Sequence, residues 1–149
     1  MKITKTIILL LSTLFIIGCN KSDIPKELVG QWSFDVDKAR EAIKKSERSS
    51  EEKNMLEEAF LSLVQNQTLT ISSSGKVSMS GVPSAVKLTL EVVKKDGDKY
   101  YFKTTNSMNP SNPQYSLDYL TQTTWHTIEV DENLKPLNRA PDTYWTKEQ

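Results

Sequence analysis

The chain has 149 residues, 19 basic and 19 acidic, and so carries no net charge. A polyanion such as nucleic acid needs clustered Lys and Arg to release its counterions. Here basic and acidic residues alternate, as in Lys38-Ala39-Arg40-Glu41 and Lys44-Lys45-Ser46-Glu47, which read as solvated helix faces and exclude that partner class.

At the N-terminus Lys2 and Lys5 precede an apolar run from Ile7 to Ile17 that ends in Gly18-Cys19. A basic flank, a short apolar stretch and a small residue at the cut make a secretory signal, and about a dozen apolar residues fall short of the ~20 that a spanning helix needs. Ile16-Ile17-Gly18-Cys19 resembles the bacterial lipobox, in which the cysteine receives a diacylglyceryl group and the chain is cut before it. The resemblance implies a signal peptide over 1–18 and a lipoprotein anchored through Cys19 by two or three acyl chains of the palmitate kind. Two or more chains hold a protein stably on a membrane. Lipidation also explains why a secreted chain has one odd cysteine; the mature domain then has no disulfide and stands on its core alone. Removing Lys2 and Lys5 leaves 17 basic against 19 acidic residues, a net charge of about −2.

Residues 19–27 are polar, contain Pro25 and read as a tether; the eight after Cys19 reach at most ~30 Å. One domain is expected over 28–149, a length that closes a single hydrophobic core. Leu28 to Val36 alternates as a strand, with Trp32 and Phe34 on one face. A two-helix insertion follows at about 37–65. Asp37 is the expected N-cap of the first helix, and Ser49 with Glu52 forms a capping box for the second. In the second helix Met55, Leu56, Ala59, Phe60, Leu63 and Val64 recur at spacings of three and four, on one face.

Beyond Gln67 the period changes to two. Leu69 and Ile71 turn through Ser73-Ser74-Gly75-Lys76 into Val77 and Met79, and Leu88, Leu90 and Val92 turn at Asp96-Gly97 into Tyr100 and Phe102. Asn109 to Pro113 is expected as a loop, because two prolines withhold ladder donors. Tyr115 to Tyr119, His126 to Val130 and Asp142 to Lys147 supply the remaining strands, about eight in all. Evenly spaced short strands point to a mainly β fold, an antiparallel up-and-down β-barrel or half-barrel with a helical insertion.

The order of elements, with Leu28-Val29-Gly30-Gln31-Trp32, resembles the calycin superfamily of lipocalins and fatty-acid-binding proteins. The resemblance implies that Trp32 plugs one barrel end and that the helices sit where fatty-acid-binding proteins carry a lid. The Arg-x-Tyr carboxylate clamp of those proteins has no counterpart, since the last strand reads Thr143-Tyr144-Trp145 and the nearest arginine is Arg139.

Chemistry is sparse. His126 is the sole histidine, with Asp118, Glu129 and Asp131 near it in sequence, and on a period-two strand it reads as a core or lumen residue. No catalytic residue is assigned and no enzyme activity expected. One histidine and a lipidated cysteine make no zinc site, and neither a metal nor a cofactor is expected. The aromatic set could line an apolar pocket with polar tips, with Trp32, Tyr119 and Trp125 as the lining. The expected function is non-catalytic binding at the bacterial cell envelope, of a small apolar ligand or, alternatively and as a resemblance to small periplasmic barrels implies, of a protein partner through loops such as Ser107 to Gln114, for instance as an inhibitor of a periplasmic hydrolase. A third reading is an enzyme using His126. Asn20 is not the aspartate that retains lipoproteins in the inner membrane of enteric bacteria, which favours the outer membrane facing the periplasm.

Overall fold

A computed structural model describes residues 23–137 and 141–148. The leader and Cys19 lie outside the described residues. Eight strands, β1 (Gly30–Phe34), β2 (Thr68–Ile71), β3 (Lys76–Met79), β4 (Leu88–Asp96), β5 (Lys99–Asn106), β6 (Asn109–Leu120), β7 (Thr124–Val130) and β8 (Thr143–Lys147), pair in sequence order into a closed barrel. Every ladder is antiparallel and β8 closes on β1, with Trp32 opposite Lys147 and Phe34 opposite Trp145. The fold is thus a lipocalin-like eight-stranded barrel with a helical insertion, closed rather than half-open. Its inward positions Trp32, Phe34, Leu69, Ile71, Leu90, Val92, Phe102, Trp125 and Trp145 form one buried cluster.

The lower end is the one where the chain enters. Ile24 and Pro25 are buried and Leu28 is fully buried, so the segment expected as free tether is built into the domain from Ile24 onward. Trp32 Nε1 donates to the Leu28 carbonyl at 2.8 Å, and Lys147 Nζ lies 5.3 Å over the Trp32 ring while donating to the Glu27 carbonyl. This seals the lower end around Trp32. Gly75, in the β2–β3 turn, has φ +77°, and a Cβ there would stand 2.3 Å from the Leu90 carbonyl oxygen.

The upper end is covered by the insertion. Helix α1 (Val36–Lys45) is capped by Asp35, whose carboxylate accepts from the Lys38 N–H at 3.0 Å. The cap is therefore two residues earlier than expected at Asp37. A second helical run comprises α2 (Ser50–Met55), a π-helical turn (Leu56–Phe60) and α3 (Leu61–Val64), and it opens with the expected Ser49–Glu52 capping box. The π turn shifts the helical phase. The Leu61 N–H reaches the Leu56 carbonyl, so Leu56, Phe60, Leu61 and Val64 pack on the core, while Met55 and Leu63 are 60 % and 76 % exposed. A strict 3.6 period had put Met55 and Leu63 on the packed face. Phe60 meets Phe34 edge-on at 6.3 Å, which brings the helical run over the lumen.

Two hairpins share β5. At the lower end Gly97 (φ +60°) and Asp98 form a two-residue turn between Asp96 and Lys99; the expected tight turn is present, but Asp96 closes the strand and glycine takes the first turn position. At the upper end the chain turns at Ser107-Met108, and Asn109–Pro113 belongs to β6 rather than to a free loop. The prolines still act as expected: pairing with β5 runs through Gln114 and then resumes only at Asn109, so residues 110–113 bulge out of the ladder.

Candidate functional site

Inside the barrel the aromatic residues form a continuous chain of contacts. Trp32 meets Trp125 edge-on at 5.8 Å, Trp125 stacks on Trp145 at 5.8 Å, and Trp145 meets Phe34 edge-on at 5.4 Å. Phe102 is fully buried and stacks on Tyr100 at 6.0 Å. Rings at these separations are in contact, so the lumen on the β1, β7 and β8 side is occupied by side chains. Eight-stranded barrels are just wide enough for this.

One polar group sits within that core. Asp118 is fully buried, and its carboxylate accepts from Ser116 Oγ (2.6 Å), Trp125 Nε1 (2.6 Å) and Thr127 Oγ1 (2.5 Å). All three donors are neutral. Burial pushes the carboxyl up to about 6, against the lowering effect of its hydrogen bonds. The luminal set of β6 is thus Ser116, Asp118 and Leu120, and Tyr115, Leu117 and Tyr119 point outward. The alternation was legible and its phase was not, because both faces of β6 and β7 carry apolar residues: Leu117 and Val130 are buried yet lie outside the luminal cluster.

It follows that Trp32 and Trp125 are brought together and Tyr119 is not. Tyr119 stands on the outer wall, where it stacks on His126 at 5.5 Å, and His126 stacks on Tyr144 at 4.5 Å with the rings nearly parallel. Lys99 Nζ lies 5.7 Å over Tyr119, so a row of four side chains crosses strands β5 to β8. His126 is therefore an outer-wall residue and not a lumen one. Its carboxylate partner is Asp142, at 3.0 Å from Nε2, rather than Asp118, Glu129 or Asp131. Asp142 lies 16 positions away, and only the β7–β8 register, with His126 opposite Tyr144, brings it near. Burial raises the Tyr144 hydroxyl above its ordinary range, and Asp142 adds to this. With both ring faces covered and Nε2 engaged, His126 is placed as a packing and hydrogen-bonding group.

Two further features lie at the upper end. Between β3 and β4, paired only at Lys76–Thr89 and Val77–Leu88, a cleft of about 440 Å³ is lined by Val77, Met79 and Leu88, which share the luminal face with Leu69 and Ile71, by Val82 and Val86, and by polar residues that include Lys76, Ser78, Lys87 and Thr89. Beside it the β5–β6 hairpin extends past the end of β7, because β6 pairs with β7 only from Tyr115 onward, while β5 stays paired with β4 up to Asn106. Ser107 to Asn112 are all exposed. Mutual bonds tie this hairpin to the β3–β4 loop: the Lys87 N–H donates to Ser107 Oγ and the Ser107 N–H to the Lys87 carbonyl, both at 2.9 Å.

Among the described residues no three His, Cys, Asp or Glu side chains come together as a metal site, and no helix is long and apolar enough to cross a membrane. No protein-family model matches the chain, and no curated protein is similar to it.

Proposed function

We propose that the chain is a lipid-anchored, non-catalytic binding module of the bacterial cell envelope that engages a protein partner with its outer surface. The observation that carries this reading is the aromatic packing inside the barrel: the chain from Trp32 through Trp125 and Trp145 to Phe34 takes up the β1, β7 and β8 side of the lumen, which leaves a cargo only the β3–β4 cleft. Evacuating such a core would cost several kcal/mol per large side chain. The membrane is the first partner, through acyl chains on Cys19, and the periplasmic face of the outer membrane is the favoured site. Because Ile24 and Pro25 are buried in the domain, only the four residues 20–23 separate them from Cys19, a length of at most ~14 Å. The domain is then held closer to the bilayer than an eight-residue tether would allow.

A Cys19→Ser variant should leave the membrane fraction on washing without detergent; its retention would sink the anchor. Pull-down and native mass spectrometry of protein purified without detergent test the binding mode. A protein partner with no retained small mass supports this reading. A retained small mass supports a second one, a small apolar ligand seated in the wall cleft lined by Val77, Met79, Val82, Val86 and Leu88. An enzyme built on His126 is the least supported, since Tyr119 and Tyr144 cover its ring; loss of a discovered turnover in His126→Ala alone would reinstate it.

A further inference from the structure

The two hairpins of β5 differ in a way that packing does not require. The lower one reads Lys94-Lys95-Asp96-Gly97-Asp98-Lys99, charged at every position but the glycine, whereas Thr104 to Gln114, around the upper turn, contains no charged side chain. The upper hairpin also projects past β7: from the Lys103–Tyr115 pair, level with the last β6–β7 pair, β5 runs on for three residues to Asn106, about 10 Å of extended chain, before the Ser107-Met108 turn. Its tip is Met108, 72 % exposed. It is held in shape by the Ser107–Lys87 bonds, by Asn106 Oδ1 accepting from the Met108 N–H at 2.8 Å, and by Pro110 and Pro113.

We infer that the Thr104–Gln114 hairpin is the partner-contacting element and that it inserts, Met108 first, into an uncharged cleft on a folded protein. This rests on the protein-binding reading above. A convex, narrow element demands a concave receptor. Burying it desolvates no charge, in keeping with the depletion of charged residues at the cores of interfaces. The prolines and the Lys87 lacing reduce the ordering cost of association, and methionine adapts its shape to irregular apolar pockets. A bilayer is the poorer occupant: the tip has no Lys or Arg for headgroups and no Trp, Tyr or Phe for the interface. The chain also enters the domain at the opposite end of the barrel, so a tether on Cys19 holds the lower end toward the membrane.

The test places a photo-crosslinking residue at Ser111, and separately at Asp98, in the full chain in its own cells. The expected result is one protein adduct from position 111, mapping to a concave surface of that protein, and none from position 98. Adding Met108→Asp should lower the adduct yield at least tenfold with the thermal midpoint unchanged. Adducts to lipid, adducts to a second copy of this chain, equal yield with Met108→Asp, or no adduct at all would each overturn the inference. If pull-down retains the partner equally with and without Met108→Asp, the hairpin is wrong and the protein-binding reading stands. If no protein is retained and a small mass is, that reading itself falls.

Discussion

Asp118 and Asp142 face the same two strands from opposite sides of one barrel wall, and their surroundings differ in every respect that matters to a carboxylate. Asp118 is fully buried, is met only by neutral donors, and sits beside Trp125 in the core. Asp142 is partly exposed and is paired with His126, whose ring lies between Tyr119 and Tyr144. The inner group must be satisfied by geometry alone, because water cannot reach it. The outer group has solvent to fall back on, so its pairing contributes little to stability. The wall thus separates a polar site that the fold depends on from one that the fold tolerates.

The largest way to break this contrast is Asp118→Ala, which leaves the Trp125 Nε1–H and the Ser116 and Thr127 hydroxyls buried without their acceptor. Urea unfolding should show a loss of about 3–5 kcal/mol. A loss under 1 kcal/mol would mean that water reaches the site.

The pH dependence comes next. The Asp118 carboxyl is raised from 3.8 to about 6 in the folded state. Below about pH 4 it is protonated in both states. Between pH 4 and 6 the unfolded chain gives up this proton while the folded chain keeps it, so stability falls as pH rises, and it levels off above pH 6. The drop from this group should be about 3 kcal/mol. Asp118→Asn keeps acceptors for Trp125 and Thr127 and should abolish that slope; a slope unchanged in the variant would assign it to other groups.

The same inside–outside division runs through the helical run. Leu61→Ala should cost about 2–3 kcal/mol, and Leu63→Ala, two residues on, should stay within about 0.5 kcal/mol. Equal losses would place the π turn elsewhere. Smallest is His126→Ala, which removes two stacking contacts and the Asp142 bond from a partly exposed site. It should cost about 1 kcal/mol, and thermal melts should show a shift of a few degrees at most.

Much of the architecture was readable before the structure. The eight strands, the helical insertion, the Ser49–Glu52 box and a tight turn at Gly97 all follow from local patterns, because periodicity, capping and turn chemistry are properties of neighbours in sequence. Tyr119 and His126 were expected inside and Met55 and Leu63 on a packed face; both concern the phase of an element whose type was right. Asn109–Pro113, expected as free loop, opens β6, and there the type itself differed. Of the expected lining set, Trp32 and Trp125 do meet, since both fall on the luminal phase of their strands. Asp118 could have been found only by asking why a strand with Leu117 and Tyr119 on one face also places a carboxylate between Ser116 and Leu120.

By itself the sequence determined the kind of most elements and the order in which they pair, and the resemblance of Ile16-Ile17-Gly18-Cys19 to a lipobox is the reason to propose an anchor at Cys19. Only the tertiary structure decided which face of β6 and β7 turns inward, that aromatic side chains take up the β1, β7 and β8 side of the lumen, that Asp142 rather than a nearer carboxylate partners His126, and that the β5–β6 hairpin extends past the end of β7. The reason is physical: a two-residue period has two equivalent phases, and the choice between them depends on what the opposite wall of the barrel can pack against.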